Sequence, residues 1–153
     1  MRRCISVFLI MVLIFCSLPT VASATMAELT MNQFFDGVSP LIVEAIISNE
    51  TQTLDYVRTA EFELEPGSIV NLGRYYMDAI DMSISYSPGT VEIDYGVCTN
   101  FTSSGRLWYH TATSGSGSGS LSRDAGYYYV FVANRSDETV YVEFEFIESA
   151  TVR

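Results

Sequence analysis

Lysine is absent from this 153-residue chain, and histidine, cysteine and proline are scarce, at one, three and four residues. A single histidine, His110, excludes a histidine-rich metal site, and any Ser-His-Asp arrangement would have to use it. Cys4 and Cys16 fall in the N-terminal apolar segment, so Cys98 stands alone in the remainder and no disulfide can close there. Basic residues are few: eight arginines face 18 acids, for a net charge of −10. Such a chain is repelled by nucleic acid and by anionic membranes, which disfavours both as partners.

Long hydrophobic runs are also missing. Met1-Arg2-Arg3 is followed by Ile5–Leu18, about 14 apolar residues where a membrane-crossing helix needs roughly 20. Ala22-Ser23-Ala24 then offers small residues at the positions a signal peptidase reads. The segment 1–24 is therefore expected to be a signal peptide cleaved after Ala24, and the mature protein to be secreted without spanning a membrane. A retained anchor and a lipidated Cys16 are the weaker readings, the latter because Phe15 is bulky where a lipobox needs a small residue. Without residues 1–24, six basic and 18 acidic residues leave a net charge of −12. Residues 25–38 read as a poorly ordered leader, and 39–153 as one domain able to bury an ordinary core.

What the chain has in abundance is strand signal. At its C-terminal end Gly126–Ala133 and Thr139–Ile147 are aromatic and β-branched runs either side of the polar Asn134–Glu138. Val140, Val142, Phe144 and Phe146 alternate with Tyr141, Glu143 and Glu145, the period that gives a strand one dry and one wet face. The two runs read as a β-hairpin. Upstream, Leu41–Ser48 reads as a strand before an Asn49-Glu50 turn, and Arg58–Leu64 as a strand stopped by Pro66-Gly67. Ile69–Leu72 is a short apolar piece, and Gly73–Ile80 the one helix-like stretch. Ile80–Tyr86, Val91–Val97 and Leu107–Thr113 complete the strands, with a turn at Asn100–Gly105. Turn signals at such short spacing predict an all-β fold, a single antiparallel β-sandwich or jelly-roll-like domain. The Gly/Ser alternation over 114–120 reads as an edge strand or loop poor in side chains, which another backbone or a ligand can approach closely, or as a mobile surface loop.

Val91-Glu92-Ile93-Asp94-Tyr95-Gly96-Val97, Leu107-Trp108-Tyr109 and the Asp124–Val130 and Asn134-Arg135-Ser136 segments follow one another with Val140-Tyr141-Val142. Over about residues 58–147 this order resembles small exported β-sandwich proteins of Gram-positive bacteria and is similar to the prepeptidase C-terminal domain. The resemblance implies a jelly-roll-like, non-catalytic accessory domain associated with carbohydrate or a surface.

Catalytic constellations are sparse, and the chain is read as not an enzyme. No G-x-S-x-G elbow supports a nucleophile. His110 is expected as a half-exposed strand residue, and a Cys98–His110 dyad lacks the cationic setting that activates a thiol. Asp78 and Asp81 with Asp94 or Asp55 are the oxygen ligands a Ca²⁺ site would draw on, but the spacing of a calcium loop is missing. No metal, cofactor or catalytic residue is assigned. The sequons at Asn49, Asn100 and Asn134 are read as turn chemistry. Aromatics are the better lead. Tyr127, Tyr129 and Tyr141, with Trp108 or Tyr109, are expected to form an exposed patch beside acids, suited to a glycan or a cell-surface protein. Cross-strand pairing that only stabilises the sheet is the alternative use of these rings, and assembly through an exposed strand edge the alternative function.

Overall fold

The computed structural model describes residues 27–44, 48–52 and 55–150 of the chain. The expected signal segment lies outside them, as do residues 45–47 of the expected Leu41–Ser48 strand. Among these residues the order is β1 (Ala27–Thr30), α1 (Met31–Phe34), β2 (Leu41–Glu44), β3 (Ser48–Gln52), β4 (Asp55–Leu64), β5 (Ser68–Ser87), β6 (Ile93–Cys98), β7 (Arg106–Ala112), β8 (Ser116–Asn134) and β9 (Val140–Ser149). The fold is all-β, as its alternation predicted. None of the helices described is long and apolar enough to cross a membrane.

Hydrogen bonding runs β1-β7-β6-β8-β5-β9-β4-β3, with β2 parallel to the start of β5 and every other pair antiparallel. β5 and β8, 20 and 19 residues long, form the spine of this sheet. The end of β8 (129–134) pairs with β6 and with the start of β5, while its beginning (116–122) pairs with the second half of β5, beside β9. The sheet thus curls into two leaves joined by the β5–β8 ribbon. The Tyr95 ring of β6 meets the Phe144 ring of β9 at 6.0 Å, although two strands separate them in the sheet order.

The bend of the ribbon explains a missed element. Gly73–Ile80 is not a helix but the middle of β5, interrupted by register shifts at Asn71/Arg74 and Met77/Ala79. Gly73 takes φ +106°, a conformation glycine adopts without strain. Its N–H is held by Asn71 Oδ1 at 3.0 Å, and Tyr75 Oη donates to the Leu72 carbonyl at 2.8 Å. Bulges of this kind add twist and turn a strand from one sheet to another. Asn49 and Glu50 likewise lie within β3 rather than in a turn.

The C-terminal hairpin does not form. β8 and β9 are both strands, but β5 lies between them, so residues 135–139 cross from one leaf to the other. The alternation of β9 still holds: Val140, Val142, Phe144 and Phe146 are buried, with Tyr141, Glu143 and Glu145 exposed between them.

The first leaf is apolar on both faces. Tyr95, Val97, Trp108, Val130 and Val132 face the core between the leaves, whereas Ile69, Cys98, Leu107, Tyr109, Phe131 and Ala133 face away. Met31, Phe34 and Phe35 cover this second face, the Phe34 ring lying 4.8 Å from Tyr109 and 6.1 Å from Phe131. Thr30 and Gln33 close a reciprocal cap on α1, and Met31 N–H donates to the Gly105 carbonyl at 2.7 Å. Residues 27–37, read from sequence as a leader, are therefore built into the fold. A leaf with two dry faces would otherwise present one of them to water.

Candidate functional site

The five aromatic residues singled out from sequence do not share one surface. Trp108 and Tyr109 are successive residues of β7 and face opposite sides, both buried. The Trp108 ring has the guanidinium carbons of Arg123 and Arg106 at 4.2 and 5.2 Å and the Tyr128 ring edge-on. Tyr109 packs on Phe34. Tyr141 is exposed on β9, and its hydroxyl donates to Glu61 at 2.7 Å. That bond, with burial and the nearby Glu143 charge, raises the Tyr141 phenol above its ordinary pKa. Tyr141 is opposite Ser87 of β5, whereas Tyr127 is opposite Tyr76, eleven residues back along the strand. At about 3.3 Å per residue that is up to ~36 Å.

Tyr127 and Tyr129 do come together, with partners the sequence reading did not assign to them. Tyr127 (59% exposed) stands across the β5–β8 ribbon from Tyr76 (50% exposed), their rings 5.2 Å apart and inclined at 68°. Arg74 extends over the Tyr127 ring at 4.8 Å and reaches within 5.7 Å of the Tyr129 ring. Tyr129 is packed in turn against Phe101 at 5.3 Å. Tyr129 and Phe131 lie on one face of β8 and Val130 and Val132 on the other. Tyr76 and Arg74 escaped notice because their stretch carried a helical pattern.

Inside the sandwich the Gly/Ser run has a specific use. Ser116, Ser118 and Ser120 alternate with Gly117 and Gly119, which turn inward: a Cβ on Gly119 would lie 2.4 Å from His110 Cδ2, and one on Gly117 3.1 Å from Tyr95 Oη. The glycines make room for these two side chains, whose rings are 5.8 Å apart. His110 is buried, not half-exposed; its Nε2 lies 3.2 Å from the Ser120 carbonyl, while Nδ1 and Tyr95 Oη have no partner. Burial pushes the Tyr95 phenol up to about 12. Gly119→Ala is expected to cost about 2 kcal/mol, because the neighbour that must move is a packed ring. Gly126→Ala, whose nearest neighbour would be 3.5 Å away, should be almost neutral. Urea melts of both variants measure this, and equal midpoints would mean that His110 does not fill the space above Gly119.

No dyad is formed. Cys98 and His110 lie on adjacent strands, but Cys98 faces α1 and His110 the inner core. Burial pushes the Cys98 thiol up to about 12, so it stays protonated at neutral pH. Two of the acids considered for Ca²⁺ are engaged separately: Asp94 accepts from Thr111 at 2.5 Å and Arg135 at 2.7 Å, and Asp81 from Ser120 at 2.5 Å. Among the described residues no three His, Cys, Asp or Glu side chains converge as a metal set. Two sequons do serve turns. Asn100 Oδ1 accepts from the Thr102 N–H at 3.0 Å, and Asn134 Oδ1 from the Ser136 N–H at 2.9 Å.

No family model and no curated protein matches this chain. Among solved structures it is similar to a cupin domain from Bordetella pertussis Tohama I, at 17% identity and a TM-score of 0.36, over 70% of this chain and 96% of that one. It is also similar to a mutant oxalate decarboxylase of Bacillus subtilis, at 14% identity and a TM-score of 0.35. There the match covers 86% of this chain but spans only about a quarter of the enzyme, 27%. With no matching family model or curated protein, the expected resemblance to a prepeptidase-type domain finds no support. The expectation that the chain is not an enzyme is withdrawn, since one of these structures is an enzyme. Likeness at this level assigns no activity to the chain.

Proposed function

We propose that this chain is an exported β-sandwich domain that binds carbohydrate through the outer face of its β5–β8 ribbon. The observation that carries this reading is the Tyr76–Tyr127 pair, two half-exposed rings in contact, with Arg74 over Tyr127. Most of the other rings on these two strands are packed. An open tyrosine face accepts the C–H groups of a sugar ring, and its hydroxyl offers a hydrogen bond at the same edge. Export is supported by the positive start, short apolar run and small residues of the first 24 positions.

A glycan array with the full chain, followed by titration of the best ligand, tests the reading. Tyr76→Ala combined with Tyr127→Ala should weaken binding about tenfold or more while leaving the melting temperature nearly unchanged. Undiminished binding by the double variant would place the ligand elsewhere.

A second reading, assembly by strand addition, is favoured by β2. Leu41, Ile42 and Val43 are 57%, 45% and 41% exposed on a strand that, among the described residues, pairs only with β5. An apolar strand with one open edge is a template for another chain. On this reading sedimentation shows concentration-dependent oligomers that Val43→Pro abolishes and the tyrosine variants leave intact.

A further inference from the structure

Of the five arginines among the described residues, Arg58, Arg106 and Arg135 are each ion-paired with an acid, to Glu148, Glu28 and Asp94. Arg74 is different. It is exposed, its guanidinium is stacked on Tyr127 and approaches Tyr129, and no carboxylate of the described residues lies within ion-pair distance. Stacking engages the flat faces of the guanidinium and leaves its N–H edge open. That edge is a fork matched to a carboxylate.

We propose that the carbohydrate bound at this face carries a carboxylate, received by Arg74 while a neighbouring sugar ring lies against Tyr127 and Tyr76. This rests on the carbohydrate reading above and names the class of sugar: a uronic or other acidic residue. The chain's net charge of −10 repels a polyanion, so the acid is a single group on an otherwise neutral oligosaccharide.

The decisive comparison uses one oligosaccharide ending in a glucuronic acid and the same molecule as its methyl ester, which keeps the ring and removes the charge. Calorimetric titration of the full chain should show the acid bound about tenfold or more tightly than the ester, the range expected for a hydrogen-bonded ion pair. Arg74→Gln should reduce that ratio to about one, whereas Tyr127→Ala should weaken acid and ester alike. Arg74 is exposed, so the variant is expected to keep the wild-type melting curve, which the same samples check. Equal affinity for acid and ester in the wild type, or a preference that survives Arg74→Gln, overturns the acidic-sugar inference and leaves the carbohydrate reading standing. Binding to neither sugar nor any neutral oligosaccharide overturns both, as would binding to an acidic peptide alone.

Discussion

Asn134→Asp is expected to destabilise the domain by about 4 kcal/mol or more, a large part of the 5–15 kcal/mol that ordinarily holds a domain together. Asn134 is fully buried at the end of β8, where the chain leaves one leaf for the other. Its Nδ2 donates to the Leu64 carbonyl at 3.0 Å and the Glu138 carbonyl at 2.7 Å. Its Oδ1 accepts from the Ser136 N–H and hydroxyl at 2.9 and 2.6 Å. One amide therefore ties the end of β4, the end of β8 and the crossover into β9. An aspartate keeps the acceptor but sets a carboxylate oxygen against two carbonyls, with no water to relieve it. The new carboxyl would be driven to stay protonated in the folded state, its pKa raised above the unfolded value of about 3.9. The folded state then holds the extra proton, so the deficit against wild type should be small in acid and grow as pH rises through about 4 and beyond. Thermal melts from pH 3 to 8 measure it. A loss independent of pH would mean that the amide nitrogen does not face the two carbonyls.

The same residue shows how far the sequence was legible. Asn134-Arg135-Ser136 announced a turn, and the turn is there. The partners of the strands on either side were not readable. Alternation fixes which face a residue takes, and for β9 every alternation held. It says nothing of which strand lies alongside, and two runs joined by five polar residues are ordinarily a hairpin. Here the bulged, doubly long β5 occupies the place between them. The strand partner depends on the whole chain, whereas the face depends on the strand alone.

The α1 segment was legible in principle. Met31, Phe34 and Phe35 have the spacing of one helical face, and Thr30 with Gln33 is a capping pair, but a four-residue helix is too short to stand out beside the supposed leader. The need for it was also written in β8, where Val130-Phe131-Val132-Ala133 is apolar without interruption. Strands buried on both faces read this way. For the candidate site the sequence supplied half. Tyr127 and Tyr129 followed from parity, whereas Tyr76 and Arg74 were hidden in a stretch whose apolar spacing suited a helix until Gly73 and the bulges bent it as a strand. Trp108 and Tyr109 were misplaced because a neighbouring strand pair and α1 bury both sides of β7.

Gly96→Ala should be as severe as the asparagine change, for a different reason. Gly96 sits mid-strand in β6, paired with Tyr109 on one side and Phe131 on the other. A Cβ there would lie 2.1 Å from the Trp108 carbonyl oxygen and 2.7 Å from Tyr109 Cα, more than an ångström short of ordinary contact for the oxygen. Both obstacles are backbone, so no side-chain rotation relieves them. β7 must move away, yet it is held by β1 on its far edge and by Phe34 over Tyr109. Overpacking costs about 1–3 kcal/mol even where side chains can adjust, and broken ladder bonds add about 1 kcal/mol each, for an expected loss of about 4 kcal/mol. Gly67→Ala provides the contrast: φ is +69° but nothing lies within 4 Å, so the cost is the left-handed backbone alone, about 1 kcal/mol. Urea midpoints should therefore fall in the order wild type, Gly67→Ala, Gly96→Ala. The reverse order for the two variants would show that backbone conformation at Gly67, rather than strand contact at Gly96, limits what the chain tolerates.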